Sequence, residues 1–160
     1  MKIAFLDRDG ILNKEIGVHV HKKETFEILP DVIPALLELQ RKGYSCVIVT
    51  NQSGIALGYY GHEDVHLLHG ILREHLSTAG IELLDIFYCP HHPSKSKCLC
   101  RKPEGIMVEK GLAKYYADPT DCIMFGDRER DVQAANSAGV RGILLDSNSG
   151  LLKAIQQTDF

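Results

Sequence analysis

The chain has no excess of positive charge. Its 18 Lys and Arg stand against 21 Asp and Glu, a formal net charge of −3 over 160 residues. Without a basic field there is little to hold a phosphodiester backbone, so nucleic acid is not an expected partner. No apolar run approaches the ~20 residues that a membrane-spanning helix needs, and no basic–apolar–small leader pattern opens the sequence. The expectation is therefore a cytoplasmic protein with no membrane partner. Internal repeats, low-complexity tracts and linkers are also missing, so one domain over residues 1–160 is expected, long enough for one good core. The composition, 44% apolar and 24% charged, is that of a soluble globular protein. No exposed apolar stripe stands out, which favours a monomer. An even cysteine count is lacking too. There are five cysteines, and Cys89, Cys98 and Cys100 cluster. In a reducing compartment such clustering points to metal rather than disulfides.

The stretch Lys2-Ile3-Ala4-Phe5-Leu6-Asp7-Arg8-Asp9-Gly10 organises the rest. Its apolar run reads as a buried strand of a parallel sheet. Two carboxylates and a glycine follow at the strand's carboxyl end, where ligands bind in open α/β sheets. Taken alone, D-x-D-G is equally a surface turn, since Asp and Gly are common turn residues.

The chain then alternates strands and helices. Residues 11–30 make a polar flap, with Phe26–Leu29 expected as a short strand. Asp31 caps a helix that stops before Gly43. Strands are expected at Tyr44–Val49, Leu83–Cys89, Cys122–Phe125 and Gly142–Leu145. Helices are expected at His62–Ala79, Glu104–Ala117, Val132–Ala138 and Leu151–Gln156. This alternation predicts an α/β fold, a Rossmann-like parallel sheet with helices on both faces. No stretch is long enough for a separate cap domain. Right-handed crossovers put every strand's carboxyl end on one rim. Four polar clusters reach that rim: Asp7/Asp9, Thr50–Ser53, Arg101-Lys102 and Asp127/Asp131.

Asp7, Asp9 and Asp127 form a hard oxygen set that suits Mg²⁺, which is held by a few carboxylates plus water and phosphate oxygens. Thr50, Ser53 and loop N–H groups can hydrogen-bond an anion. Lys102 can neutralise a phosphoryl group in transfer. An ionised Asp7 can attack phosphorus, and Asp9 can exchange protons with the leaving oxygen and water. Asp131 is either a second acid beside the magnesium or the N-cap of the helix that follows.

These four clusters resemble, in order and spacing, the motifs of the haloacid dehalogenase-like phosphatases: Asp7-Arg8-Asp9-Gly10, Thr50-Asn51-Gln52-Ser53-Gly54, Arg101-Lys102-Pro103, and Gly126-Asp127 with Asp131. The resemblance implies Mg²⁺-dependent hydrolysis of a phosphate ester through an aspartyl-phosphate. It implies Asp7 as nucleophile, Asp9 as general acid/base, and Thr50 and Lys102 as phosphate stabilisers. Asp7, Asp9 and Asp127 are the expected magnesium set. Arg8, Asn51, Gln52, Ser53, Arg101 and Arg128 are the expected substrate-binding set, for a small phosphorylated metabolite.

Cys89-Pro90-His91 and Cys98-Leu99-Cys100 give C-x-H-x6-C-x-C. Three thiolates and one imidazole make a closed, structural zinc site, with His92 the rival to His91. A zinc-bound loop followed by Arg101-Lys102-Pro103 is similar to the subgroup that contains the heptose 1,7-bisphosphate and histidinol-phosphate phosphatases. His62, His66 and His69 share one helix face and can bind metal, although a solvated face is the plainer expectation.

Overall fold

In the computed structural model, which describes residues 1–160, five strands form one wholly parallel sheet in the order β3-β2-β1-β4-β5. They are β1 (Lys2–Leu6), β2 (Tyr44–Asn51), β3 (Leu83–Cys89), β4 (Ile123–Gly126) and β5 (Arg141–Leu144). The helices are α1 (Val32–Arg41), α2 (His62–Ser77), α3 (Ile106–Lys114), α4 (Glu129–Ser137) and α5 (Leu151–Gln157).

The apolar run of β1 is apolar on both faces because both faces are covered. Ala4 and Leu6 join one core with Leu36 and Leu39 of α1, Leu72 and Leu76 of α2 and Ile155 of α5. Ile3 and Phe5 point the other way, into a core with Met107, Val108 and Leu112 of α3 and Ala135 of α4. The period-2 alternation of a strand divides one run between two layers. All four of Ile3, Ala4, Phe5 and Leu6 are fully buried.

β1 pairs β2 on one side and β4 on the other. The chain order reverses there, so the crevice beyond β1 and β4 is where such sheets place a ligand. No connection between elements builds a separate cap. Access to the rim is bordered instead by the β1–α1 flap and by the loop after β3.

Several boundaries differ from the sequence expectation. β2 runs on to Asn51 because Thr50 and Asn51 pair with Tyr88 and Cys89 of β3. α4 begins at Glu129, not Val132, because the Asp131 carboxylate accepts a hydrogen bond from the Arg128 N–H at 2.9 Å. Asp131 is thus the third residue of the helix rather than its N-cap. The expected strand Phe26–Leu29 reduces to one antiparallel bridge, Ile28 with Asn13. Two backbone hydrogen bonds flank the bridge, Lys14 N–H to the Glu27 carbonyl at 2.8 Å and Leu29 N–H to the Leu12 carbonyl at 2.9 Å, and the pairing goes no further.

Candidate active site and metal centres

The rim of the sheet opens into a cleft of about 690 Å³ bordered by Asp7, Asp9, the Thr50–Ser53 loop, Asp127 and three arginines, Arg101, Arg128 and Arg130. β1 delivers Asp7 and β4 delivers Asp127 from adjacent positions. The turn that follows the two acids after β1 requires Gly10, whose φ is +85° and whose Cβ, if present, would overlap the Asp127 carboxylate. Gly126 is equally constrained: a Cβ there would run into the Asp131 side chain.

Lys102 lies at the centre of the buried part. Its Nζ is 2.9 Å from Asp7 Oδ1 and 2.7 Å from Asp131 Oδ1, and it donates to the Val49 carbonyl at 2.8 Å. Only 1% of its side chain is exposed. Burial opposes the ammonium charge, but Asp7 and Asp131 outweigh it and hold the lysine pKa above its ordinary value. Asn51 fixes the Lys102 backbone from both sides: its Nδ2 donates to the Lys102 carbonyl and its Oδ1 accepts the Lys102 N–H, each at 3.1 Å.

Asp7, Asp127 and Asp131 bring one carboxylate oxygen each within 4.8 Å of one another. Three buried acids against one lysine leave excess negative charge. Burial, reinforced by Asp131, pushes the Asp7 carboxyl up to about 7. Burial also raises Asp127, whose carboxylate accepts from the Ser147 hydroxyl. A hard divalent cation relieves this charge, and an all-oxygen donor set suits Mg²⁺. The carboxylates brought together are therefore Asp7, Asp127 and Asp131, not the expected Asp7, Asp9 and Asp127.

The Asp9 side chain is held elsewhere. It accepts from Arg8 Nη2 at 3.0 and 3.2 Å, from Asn13 Nδ2 at 2.9 Å and from Gln52 Nε2 at 3.1 Å. Gln52 also donates to Thr50 Oγ1 at 3.0 Å and is itself held by the Tyr60 hydroxyl at 2.9 Å. Arg8, expected at the substrate, is instead fully buried and does not reach the cleft. Its guanidinium donates to the Val20 carbonyl at 3.0 Å, approaches His69 Nε2 at 3.4 Å and orients Asp9. Asn13 and Tyr60 are partners that sequence spacing did not single out, whereas Asp131, read from the sequence as a second acid or an N-cap, lies in the carboxylate cluster. Arg130 was visible in Gly126-Asp127-Arg128-Glu129-Arg130-Asp131 but had no assigned place. It faces Arg101 closely enough that, after burial, its charge is the next cause depressing the Arg101 pKa.

The loop after β3 holds the second centre. Cys89 Sγ is 3.7 Å from Cys98 Sγ and 3.2 Å from Cys100 Sγ. His91 Nδ1 is 3.5 Å from Cys89 Sγ and 3.3 Å from Cys100 Sγ. A tetrahedral zinc with ordinary bond lengths separates its sulfurs by about 3.8 Å and sulfur from nitrogen by about 3.5 Å. The four atoms thus fit one zinc ion with little adjustment, and no position is left open for a reactant. His92 is not part of the set: its Nδ1 accepts from the Ser94 N–H at 3.1 Å, and the side chain borders the cleft. Arg101 and Lys102 follow the last ligand directly, so the metal loop anchors the segment that presents them.

The histidine face of α2 is only partly solvated. His62 and His66 are exposed, but His69 is buried between Tyr88 and Arg8. Burial, then the Arg8 charge, push its pKa down to about 3.

Comparison with known proteins decides the family. Residues 3–139 match the model of the haloacid dehalogenase-like hydrolases. The chain belongs to that family. It is 41% identical over 146 residues to the D-glycero-alpha-D-manno-heptose-1,7-bisphosphate 7-phosphatase of Photorhabdus laumondii, covering 88% of this chain and 79% of the relative. It is 41% identical over 145 residues to the D-glycero-beta-D-manno-heptose-1,7-bisphosphate 7-phosphatase of Haemophilus influenzae, covering 88% and 78%. Among solved structures, the D,D-heptose 1,7-bisphosphate phosphatase of B. bronchiseptica, complexed with magnesium and phosphate, superposes with a TM-score of 0.86 at 31% identity, over 98% of this chain and 86% of that one. Family and relatives make this hydrolase a phosphatase of phosphate monoesters.

Proposed function

We propose that this phosphatase removes the 7-phosphate from a D-glycero-D-manno-heptose 1,7-bisphosphate. The observation that carries this reading is the pairing of one reaction centre with a separate cationic end in the same cleft. Asp7 and Thr50 lie on the floor with Lys102 buried against Asp7, while Arg101, Arg128 and Arg130 line the rim. A monophosphate needs only the first, and a bisphosphate uses both.

In this reading Asp7 attacks phosphorus and carries the phosphoryl group as an aspartyl-phosphate. Asp9, aimed by Arg8, Asn13 and Gln52, protonates the leaving sugar oxygen and then takes a proton from the water that hydrolyses the intermediate. Lys102 and the Thr50 hydroxyl stabilise charge on the transferring oxygens. Asp7, Asp127 and Asp131 would hold Mg²⁺, which when bound would neutralise charge on the phosphoryl oxygens. The four-ligand zinc site has no place in the chemistry and serves to order the loop.

The test is a comparison of kcat/KM for heptose 1,7-bisphosphate, in both anomers, with histidinol phosphate. The bisphosphate is expected to be preferred by at least about a hundredfold, roughly 2.7 kcal/mol of transition-state discrimination. Preference for histidinol phosphate, which has no second phosphate, would overturn the substrate while leaving the phosphatase chemistry standing.

A further inference from the structure

Helix α2 opens with His62-Glu63-Asp64-Val65-His66, an H-E-x-x-H sequence on a helix. Its i, i+4 spacing puts both imidazoles on one side. Both side chains are exposed and both turn to one oxygen. His62 Nδ1 is 2.7 Å from the Tyr88 hydroxyl, and His66 Nε2 is 3.1 Å from it. A hydroxyl has one proton to donate, so one ring nitrogen accepts it and the other donates to the oxygen. No carboxylate closes the trio. Asp64 is engaged by the Gly61 N–H at 2.8 Å, and Glu63 folds back beside Gly61. The next histidine on the face, His69, is committed to Arg8.

We propose that His62, His66 and Tyr88 form a second transition-metal site, distinct from the cysteine loop and from the carboxylate cluster. Its ligand is a late first-row divalent ion such as Zn²⁺, Ni²⁺ or Cu²⁺, because imidazole donors suit these ions. Ligand atoms about 2.0–2.1 Å from a metal lie about 2.9–3.4 Å apart at tetrahedral to square angles. The observed separations need only a slight opening to admit an ion, and water completes the shell on the solvent side. Coordination by Tyr88 releases its phenol proton to solvent. A bound ion bridges the start of α2 to the end of β3, one residue before the zinc ligand Cys89. With Glu63 turned away from the two imidazoles, the site binds metal without the base that a peptidase of the H-E-x-x-H type needs.

The test uses the untagged chain with the cysteine site loaded with zinc and Mg²⁺ saturating. Ni²⁺ is added in a calorimetric titration. One further equivalent is expected to bind, weakened at least about tenfold in His62→Ala and in His66→Ala and unchanged in His75→Ala, an exposed histidine elsewhere on α2. Tyr88→Phe is expected to weaken binding by a smaller factor. Absence of the extra equivalent, or binding in His62→Ala or His66→Ala as tight as in the parent, overturns the site. Unchanged affinity in Tyr88→Phe overturns the tyrosine's part in it. Thermal melts of each variant establish that it is folded.

Discussion

Lys102 is the side chain on which both stability and rate depend most sharply, and Lys102→Met separates the two. Its Nζ bridges Asp7 and Asp131 at 2.9 and 2.7 Å with almost no solvent contact. Methionine fills most of the same volume but leaves two buried carboxylates facing each other. Removing one member of a buried ion pair typically costs about 3–5 kcal/mol, because the remaining charge is stranded. Urea unfolding without Mg²⁺ should show a loss in that range. Saturating Mg²⁺ should recover part of it, since a divalent ion among Asp7, Asp127 and Asp131 replaces the missing positive charge. The rate should not recover in the same way. Loss of one preorganised charge at the reacting group removes about 10²–10³ from kcat, or roughly 2.7–4 kcal/mol. Adding Asp131→Asn to Lys102→Met removes one stranded carboxylate and should restore stability further without restoring kcat. Phosphate release at saturating Mg²⁺ and the paired unfolding curves are the assays. A kcat within about threefold of the parent, or a double variant less stable than Lys102→Met alone, would refute the bridging role.

Three other outcomes follow from the packing. His69 has its pKa depressed from 6.5 to about 3, so the fold holds it neutral. Its stabilising contribution is complete above pH 6.5 and is lost as pH falls toward 3. His69→Gln keeps an acceptor for Arg8 and does not titrate, so by pH 5 the parent should have lost about 2 kcal/mol more than the variant; parallel pH–stability curves would count against this. Gly126→Ala forces a methyl into the Asp131 side chain and should cost about 1–3 kcal/mol in a melt together with a drop in kcat, through displacement of the Lys102 partner. Stripping the zinc, or Cys98→Ser, should expose residues 89–101 to limited proteolysis and reduce activity about tenfold, as the segment presenting Arg101 and Lys102 loosens.

The fold was legible because its signals are local. The apolar run of β1, the glycines after α1, α2 and α4 (Gly43, Gly80 and Gly139) and the strand–helix alternation each depend on neighbours in sequence. Three of the four rim clusters were legible for the same reason, since each sits at the end of a strand, and the fourth, Arg101-Lys102, follows directly on the last ligand of the cysteine loop. What failed depended on distant partners. Arg8 sits between two catalytic candidates, so an exposed substrate role was the natural expectation. Its burial is set by Val20 and by His69, 61 positions away. Asp131 sits third in α4 rather than capping it because β4 turns into α4 through Asp127 and Arg128 alone, a connection that the expected bounds made four residues longer. His69 was grouped with its helix neighbours by periodicity, yet the packing of α2 on β3 buries it and leaves His62 and His66 in solvent. Phe26–Leu29 has strand-like residues, but its pairing stops at the one bridge to Asn13.

Asp7 is expected to become phosphorylated during turnover. The most direct test is rapid acid quenching of the Mg²⁺-loaded enzyme during its first turnover of a radiolabelled heptose bisphosphate, followed by peptide mapping. A hydroxylamine-labile phosphoryl label is expected on the peptide carrying Asp7, absent in Asp7→Asn and retained longer in Asp9→Asn, where hydrolysis of the intermediate lacks its base. Phosphate release at the parent rate by Asp7→Asn, or a label carried by any other residue, would contradict the account.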